Sequence, residues 1–481
     1  MSGSLRYRSP EGRWVLFATV LGSAMAFIDM TVVNIALPHI GRSLSAGTAG
    51  LQWTVNGYSL SLTALLLLGG SLGDRFGRRR VFTIGVGWFA AASLLCGLAP
   101  STGALVTTRV LQGVGGALLT PGSLAILEAS FAPEDRARAI GAWSGLGSVA
   151  GAVGPFLGGW LVQVASWRLV FLVNLPLAAA VIAIARRHVP ETRNPEAAPH
   201  LDFPGVLTAV VGLAGVTEGF TAWTQLGPTA PAVLVSLGLG LGGLLAFLLI
   251  ERRARWPMLP LEVFSSRTFS ATNAATFAIY AALSGFLFLL VLTLQVVAGF
   301  TPLAAGTAAL PVTALMLALS ARGGALGQRV GPRLPMTVGP SVCAGAFLLL
   351  SRLSPHASYL RDVLPGVVIF GLGLSLTVAP LTATALGAVD ARHAGLASAV
   401  NNVVARAAGL LAVAVLPLAA GLGQGDLRDP VALAPTFQVA MRICASLLLV
   451  GAAISFAFVP GRPGAARVAR APGSGWQTRL R

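Results

Sequence analysis

Lysine is absent from all 481 residues, and each of the 33 basic side chains is an arginine. A phosphate-binding loop of the form G-x-x-x-x-G-K-[ST] therefore cannot exist here, nor can a Schiff-base lysine. With no standard ATP-hydrolysing site, the expected energy source is an ion gradient or the substrate's own. Charge is scarce too: 10% of residues are charged against 55% hydrophobic, and mean hydropathy is +0.79. A soluble chain carries about a quarter charged residues, so most of this one is expected to sit in lipid. Three cysteines, Cys96, Cys343 and Cys444, lie far apart in apolar segments. They have no metal-ligand spacing and are expected to be small buried residues; no metal and no cofactor is expected. None of the five histidines falls in the middle of an apolar segment, which leaves carboxylates as proton carriers. The net charge of +17 comes from short arginine clusters between apolar runs. It does not come from a basic face with interleaved aromatics, so nucleic acid is not an expected partner.

Apolar segments of about 20 residues, enough to cross about 30 Å of hydrocarbon, can be counted along the chain. They fall near 14–37, 51–72, 81–99, 104–127, 139–163, 168–187, 203–222, 231–250, 269–297, 303–322, 334–352, 361–387, 395–419 and 435–459. The first resembles a signal peptide at Ser23-Ala24-Met25-Ala26, but its apolar run continues to Leu37 and is long enough to span. If the N-terminus is cytoplasmic, inner loops and tails hold 25 arginines and outer loops five, with Arg109, Arg406 and Arg442 inside spans. That bias places both termini inside.

The densest charged stretch runs from Gly70 to Arg80 through Gly73, Asp74, Arg75, Gly77, Arg78 and Arg79. A weaker copy returns 254 positions later, from Gly324 to Arg333, with Gln328 in the place of Asp74. A charged hairpin repeated once per half points to a transporter built by duplication. The offset maps spans two and three onto ten and eleven and leaves seven and eight as an inserted pair. The expected fold is an all-α polytopic membrane protein of 14 spans. Residues 1–190 would form an N-terminal six-helix bundle, 191–260 a linker with two transmembrane helices, 261–460 a C-terminal six-helix bundle, and 461–481 a disordered cytoplasmic tail.

Ionised groups at mid-membrane cost at least about 2.5–3.5 kcal/mol each on insertion scales, so those inside spans need partners. Asp29 and Glu218 are the acidic residues placed there. Asp29 lies about 13 Å from the outer end of span one at 1.5 Å per residue, and Arg109 enters span four from outside at a similar depth. The two can pair, and protonating Asp29 would release Arg109. Glu218 either binds a cationic substrate or reaches the outer surface. Asn34 and Gln295 are candidate cavity-lining polar groups. In span five small residues recur at i, i+4: Gly147 and Gly151, then Ala150, Gly154 and Gly158, beside Pro155 and Gly159. Such a face lets another helix approach closely. Matches to G-x-S-x-G at Gly69–Gly73 and to G-x-G-x-x-G at Gly238–Gly243 lack a strand–turn–helix context. In a chain with 58 glycines they are chance, and no enzyme is expected.

Four stretches give the chain its resemblance to the major facilitator superfamily, and within it to the fourteen-span drug:proton antiporters. Phe27 to Pro38 resembles that family's first-span motif, Gly70 to Arg80 the loop motif, Arg109 to Gly116 the fourth-span motif, and Gly154 to Gly159 the antiporter motif. Weaker echoes lie at Gln52-Trp53, Tyr58, Leu201 to Gly205 and Gly395 to Ser398. The resemblance implies that Arg109 relays protons and Asp29 senses protons or cations. It implies that Asp74, Arg75, Arg78 and Arg79 stabilise the outward-facing state by cytoplasmic contacts between halves, and that Gly154 and Pro155 favour exchange. The expected function is proton-coupled export of small amphipathic or cationic compounds from a bacterial cell membrane, by a monomer in the lipid bilayer. The alternatives are a proton-coupled symporter for a nutrient or metabolite, and a transport-inactive membrane sensor.

Overall fold

A computed structural model describes residues 5–193, 202–254, 257–259, 261–355, 357–389, 394–422 and 427–461. Fourteen long helices account for nearly all of them. We number these α1 (Pro10–Ser43), α2 (Thr48–Phe76), α3 (Arg78–Leu98), α4 (Thr102–Ser130), α5 (Pro133–Val164), α6 (Leu169–His188), α7 (Phe203–Leu226) and α8 (Pro231–Arg253). After a 3-10 turn at Leu261–Ser265 follow α9 (Arg267–Val296), α10 (Pro302–Val330), α11 (Arg333–Leu350), α12 (Tyr359–Gly387), α13 (Ala394–Ala419) and α14 (Pro430–Phe458). Each falls within a few residues of the segment expected from hydropathy, except where polar ends lengthen it. Thirteen are long and apolar enough to cross a membrane. The other, α5, has 32 residues, and its described apolar stretch is Val153–Val164. The surroundings of Gly147, Ala150, Gly151, Gly395 and Leu396 lie outside what is described, as do Leu201 and the tail beyond Gly461.

Local chemistry sets the helix starts. Ser9, Ser101, Asp202, Ser266 and Asp429 each accept a hydrogen bond from a first-turn backbone N–H, satisfying a donor the helix itself cannot. Six starts carry proline in the first turn, at Pro10, Pro133, Pro204, Pro231, Pro302 and Pro430, where no N–H partner is needed. In α6 and α10 the helix is interrupted after Leu172 and after Thr307 and then resumes.

Packing repeats in the two halves. Helix α1 packs on α5 and α6, α4 on α2 and α3, and α3 on α6. Adding eight to each label gives the other half's pairs: α9 on α13 and α14, α12 on α10 and α11, and α11 on α14. Two seams join the halves, α2 against α13 and α5 against α10, with α1 meeting α9 between them. The inserted helices pack on each other, and α7 lies across the first seam against both α2 and α13. Gly215 and Gly240 bring α7 and α8 into backbone contact, as do Gly212 and Gly243. Two glycines of the chance G-x-G-x-x-G match, Gly240 and Gly243, therefore pack two helices together. On the far side α8 shows Leu234, Leu239, Leu241 and Leu245, an apolar surface suited to lipid.

Candidate functional site

Inside the N-terminal half, four helices bring polar side chains to one dry point. Glycines make this possible. A Cβ on Gly113 would collide with Ser61 and the Tyr58 carbonyl of α2, and one on Gly115 would stand 2.6 Å from the Phe89 nitrogen of α3. Without side chains at these positions, α4 settles between α2 and α3 and carries Arg109 and Gln112 inward.

Asp29 and Arg109 are 0% and 1% exposed, and Arg109 Nη1 donates to Asp29 Oδ2 at 2.5 Å. Arg109 Nη1 also donates to Gln112 Oε1 at 2.6 Å, and Nε donates to the Thr54 carbonyl at 3.0 Å. The Gln112 amide donates to Asp29 Oδ1 and to Ser93 Oγ, both at 2.8 Å. The Asn174 amide reaches the same two acceptors at 3.4 and 3.3 Å. The Tyr58 ring covers the guanidinium at 4.4 Å. The carboxylate thus accepts from three side chains of α4 and α6, a charge-assisted network in a low-dielectric setting. Removing its charge would leave a buried guanidinium uncompensated, which is strongly unfavourable.

A cavity of about 320 Å³ lies between the halves. Its walls come from α1 (Phe27, Met30, Thr31, Asn34), α2 (Val55, Ser59, Thr63), α9, α12 and α13. Of the substrate-binding candidates, Asn34 lines it. Gln295 instead donates to the Ile35 carbonyl at 3.0 Å, tying α9 to α1. Glu218 is exposed on α7, where it accepts from Trp53 Nε1 of α2 at 2.8 Å; it does not line the cavity. Asp29 does not line it either. Its chain neighbours Met30 and Thr31 do, so proton exchange at Asp29 requires the packing around it to rearrange.

The cavity is closed at one end. All hydrogen bonds described between the halves lie there: Gln52 to the Val413 carbonyl, Gln295 to Ile35, Leu427 to Thr48, and Arg428 to the Gly41 carbonyl. The antiporter-type glycines close the same end. Gly158 sets α5 against Val32 of α1, Gly154 abuts Thr31, and Gly159 abuts Leu303 of α10, while Gly306 of α10 meets the Pro155 carbonyl. In the other direction the lining reaches Leu386 at the end of α12 and Ser398 at the start of α13.

The Gly70–Arg80 loop lies at that other end. Gly73 and Gly70 sit in the last turns of α2, and Gly77 turns the chain with φ +110°, a conformation side chains disfavour. Arg78 pairs with Asp74 at 2.7 Å and donates to the Ala125 carbonyl of α4. Glu191 accepts from the backbone N–H groups of Arg79 and Arg80, an anion at the N-terminus of α3. Arg79 donates to the Val189 carbonyl, and Arg75 lies over Phe76. Every bond described for the loop closes within the N-terminal half. The second copy repeats the frame: Gly331 has φ +91°, and Arg333 donates to the Val459 carbonyl at 2.8 Å. It lacks the ion pair, since Gln328 and Pro332 stand where Asp74 and Arg78 stand in the first.

Sequence reasoning met Gln112 and Tyr58 only as motif positions, with no role, and missed Ser93, Asn174 and Glu191. Neutral polar residues give little signal in an apolar run, and only folding makes them converge. Glu191 had a faint one, an acid just after the arginines that end α6.

Comparison with known proteins agrees with this architecture. The chain is 37% identical to the multidrug resistance protein Stp of Mycobacterium tuberculosis, over 80% of this chain and 72% of that protein. It is 34% identical to a puromycin resistance protein of Streptomyces alboniger, over 95% and 93%. Among solved structures, a bacterial homolog of the human lysosomal transporter Spinster superposes with a TM-score of 0.66 at 19% identity, covering 93% of this chain and 97% of that one. The model of the Major Facilitator Superfamily matches residues 19–413, and with two repeated six-helix halves around one central cavity, the chain belongs to that superfamily.

Proposed function

We propose that this protein is a drug-efflux transporter of the cell membrane that exports small amphipathic compounds in exchange for protons. The carrying observation is the buried Asp29–Arg109 pair, one residue along α1 from the cavity wall. With both termini cytoplasmic, as the arginine bias implies, the cavity opens toward the cytoplasm and the closed end faces outward. Cargo enters in this state. The halves then rock, the α2–α13 and α5–α10 seams part at the outer end, and cargo leaves.

Protonating Asp29 removes the charge that holds Arg109 and Gln112, so the two protonation states favour different packings of α1 against α4. Cargo and proton are coupled reciprocally through that preference: whichever state one favours shifts the other's affinity by the same factor. The energy source is the proton gradient, with no bound cofactor and no catalytic step, and the working unit is a monomer. The relatives are named for resistance to multiple drugs and to puromycin, which supports this direction of transport over uptake.

The test is transport in everted vesicles with an imposed pH gradient. Asp29→Asn is nearly isosteric but cannot titrate, and it turns an amide donor toward the donors that now face the carboxylate. Transport is therefore counted per molecule in the membrane, and the molecules that insert should lose gradient-driven transport. Normal activity in that variant would remove Asp29 from the mechanism.

A further inference from the structure

Among the described residues lining the central cavity, Arg406 of α13 is the only charged one. No hydrogen bond or ion pair is described for its guanidinium. Tyr280 lines the same cavity, and no carboxylate does among the described residues. Asp29 is already held by Arg109, Gln112 and Asn174. A guanidinium at membrane depth needs an anion or water to compensate it, and its fork of donors fits a carboxylate or phosphate in two-point geometry. Around it stand neutral polar groups, among them Asn402, Ser284 and Ser398. The facing wall from the N-terminal half is apolar at Phe27 and Met30.

We propose that the cavity takes compounds with an anionic group, a carboxylate, sulfonate or phosphate, that pairs with Arg406 while an apolar body lies against Phe27 and Met30. This rests on the transporter reading and adds the sign of the cargo's charge. A cation in the same place would meet like charge with no carboxylate in the wall to offset it.

The experiment compares three probes with one body: 1-naphthylacetate, 1-naphthylacetamide and (1-naphthylmethyl)trimethylammonium. Binding to the full-length protein is measured in nanodiscs of zwitterionic lipid by calorimetry. Wild type should bind the carboxylate about tenfold more tightly than the ammonium, one charge-assisted contact's worth. Arg406→Gln should erase the ranking and Arg406→Lys should keep most of it. Equal or tighter binding of the ammonium to wild type would overturn the proposal, and that result stands even if Arg406→Gln fails to fold. An unchanged ranking in a folded Arg406→Gln would also overturn it. So would carboxylate binding that disappears on adding phosphatidylglycerol, which would assign the arginine to a lipid headgroup. Transport of the same probes in everted vesicles separates the two readings. Anion binding without any gradient-driven transport would sink export and leave the cavity assignment, whereas transport of the ammonium alone would do the reverse.

Discussion

The buried network puts unequal demands on its members. Asp29 and Arg109 were legible in the sequence because a charge inside an apolar run has to be explained. Their pairing was legible too, from matched depth. Gln112 was not, although it holds the network together: its amide bridges Asp29 and Ser93 while its carbonyl accepts from Arg109. Gln112→Leu should leave Asp29 and Ser93 each short of a donor in a dry site. The expected cost is about 1–3 kcal/mol per orphaned group, seen as a lower unfolding temperature in detergent. Unchanged thermal stability would mean that water or Asn174 replaces the amide. Glu218 and Gln295 mark the limit of reading residues singly. Both are polar in apolar runs, but one holds Trp53 at the α2–α7 contact and the other ties α9 to α1. Which way a side chain faces depends on helix rotation, and that follows from the packing of neighbours.

Among the elements, α5 shows how glycines serve two contacts at once. Gly154 and Gly158 meet α1, while Gly159 meets α10, where an added Cβ would stand 2.7 Å from the Leu303 Cα. The contact is with backbone, which cannot yield as a flexible side chain can. Gly159→Val should therefore hold the α5–α10 seam apart at the closed end. Expression and elution profile should stay near wild type while turnover falls severalfold; if both fell together, the residue would serve folding alone. The pattern of small residues predicted a close approach, but not that α10 was the partner, because periodicity names a face and not what covers it. The α2–α3 turn was more fully legible. Gly77 and Gly331 lie 254 positions apart and both adopt positive φ, since each half must reverse direction over one residue. The bond from Glu191 to the start of α3 spans over 100 residues and could not be read from spacing.

For the whole molecule, the two halves share pairwise helix packing, yet their loops differ in charge. The first keeps the Asp74–Arg78 pair and the second has lost both members, so the device at the open end is one-sided. All bonds described for the first loop close on its own half, and those described between halves lie at the opposite end. Such a distribution is that of one of two alternating states. Orientation can be tested directly. A fluorescent protein fused at either terminus should fluoresce, as it does in the cytoplasm, and alkaline phosphatase fused there should be inactive. A cysteine placed at Ser398, on the cavity's open side, should react with a membrane-impermeant maleimide in everted vesicles and be protected in intact cells. Labelling from the outer face of resting cells would place the open end outward.

The sequence by itself determined the fourteen long helices, their repeat, the inserted pair and the two charges that must be buried together. Lipid solvates neither charge nor unpaired backbone, so hydropathy and arginine placement constrain a membrane chain more tightly than a soluble one. Only the tertiary structure decided what surrounds Asp29, which end of the cavity is closed, and that Arg406 is the one charge in the cavity's wall among the described residues. Those depend on how each helix is rotated about its axis, and rotation is settled by contacts between segments hundreds of residues apart.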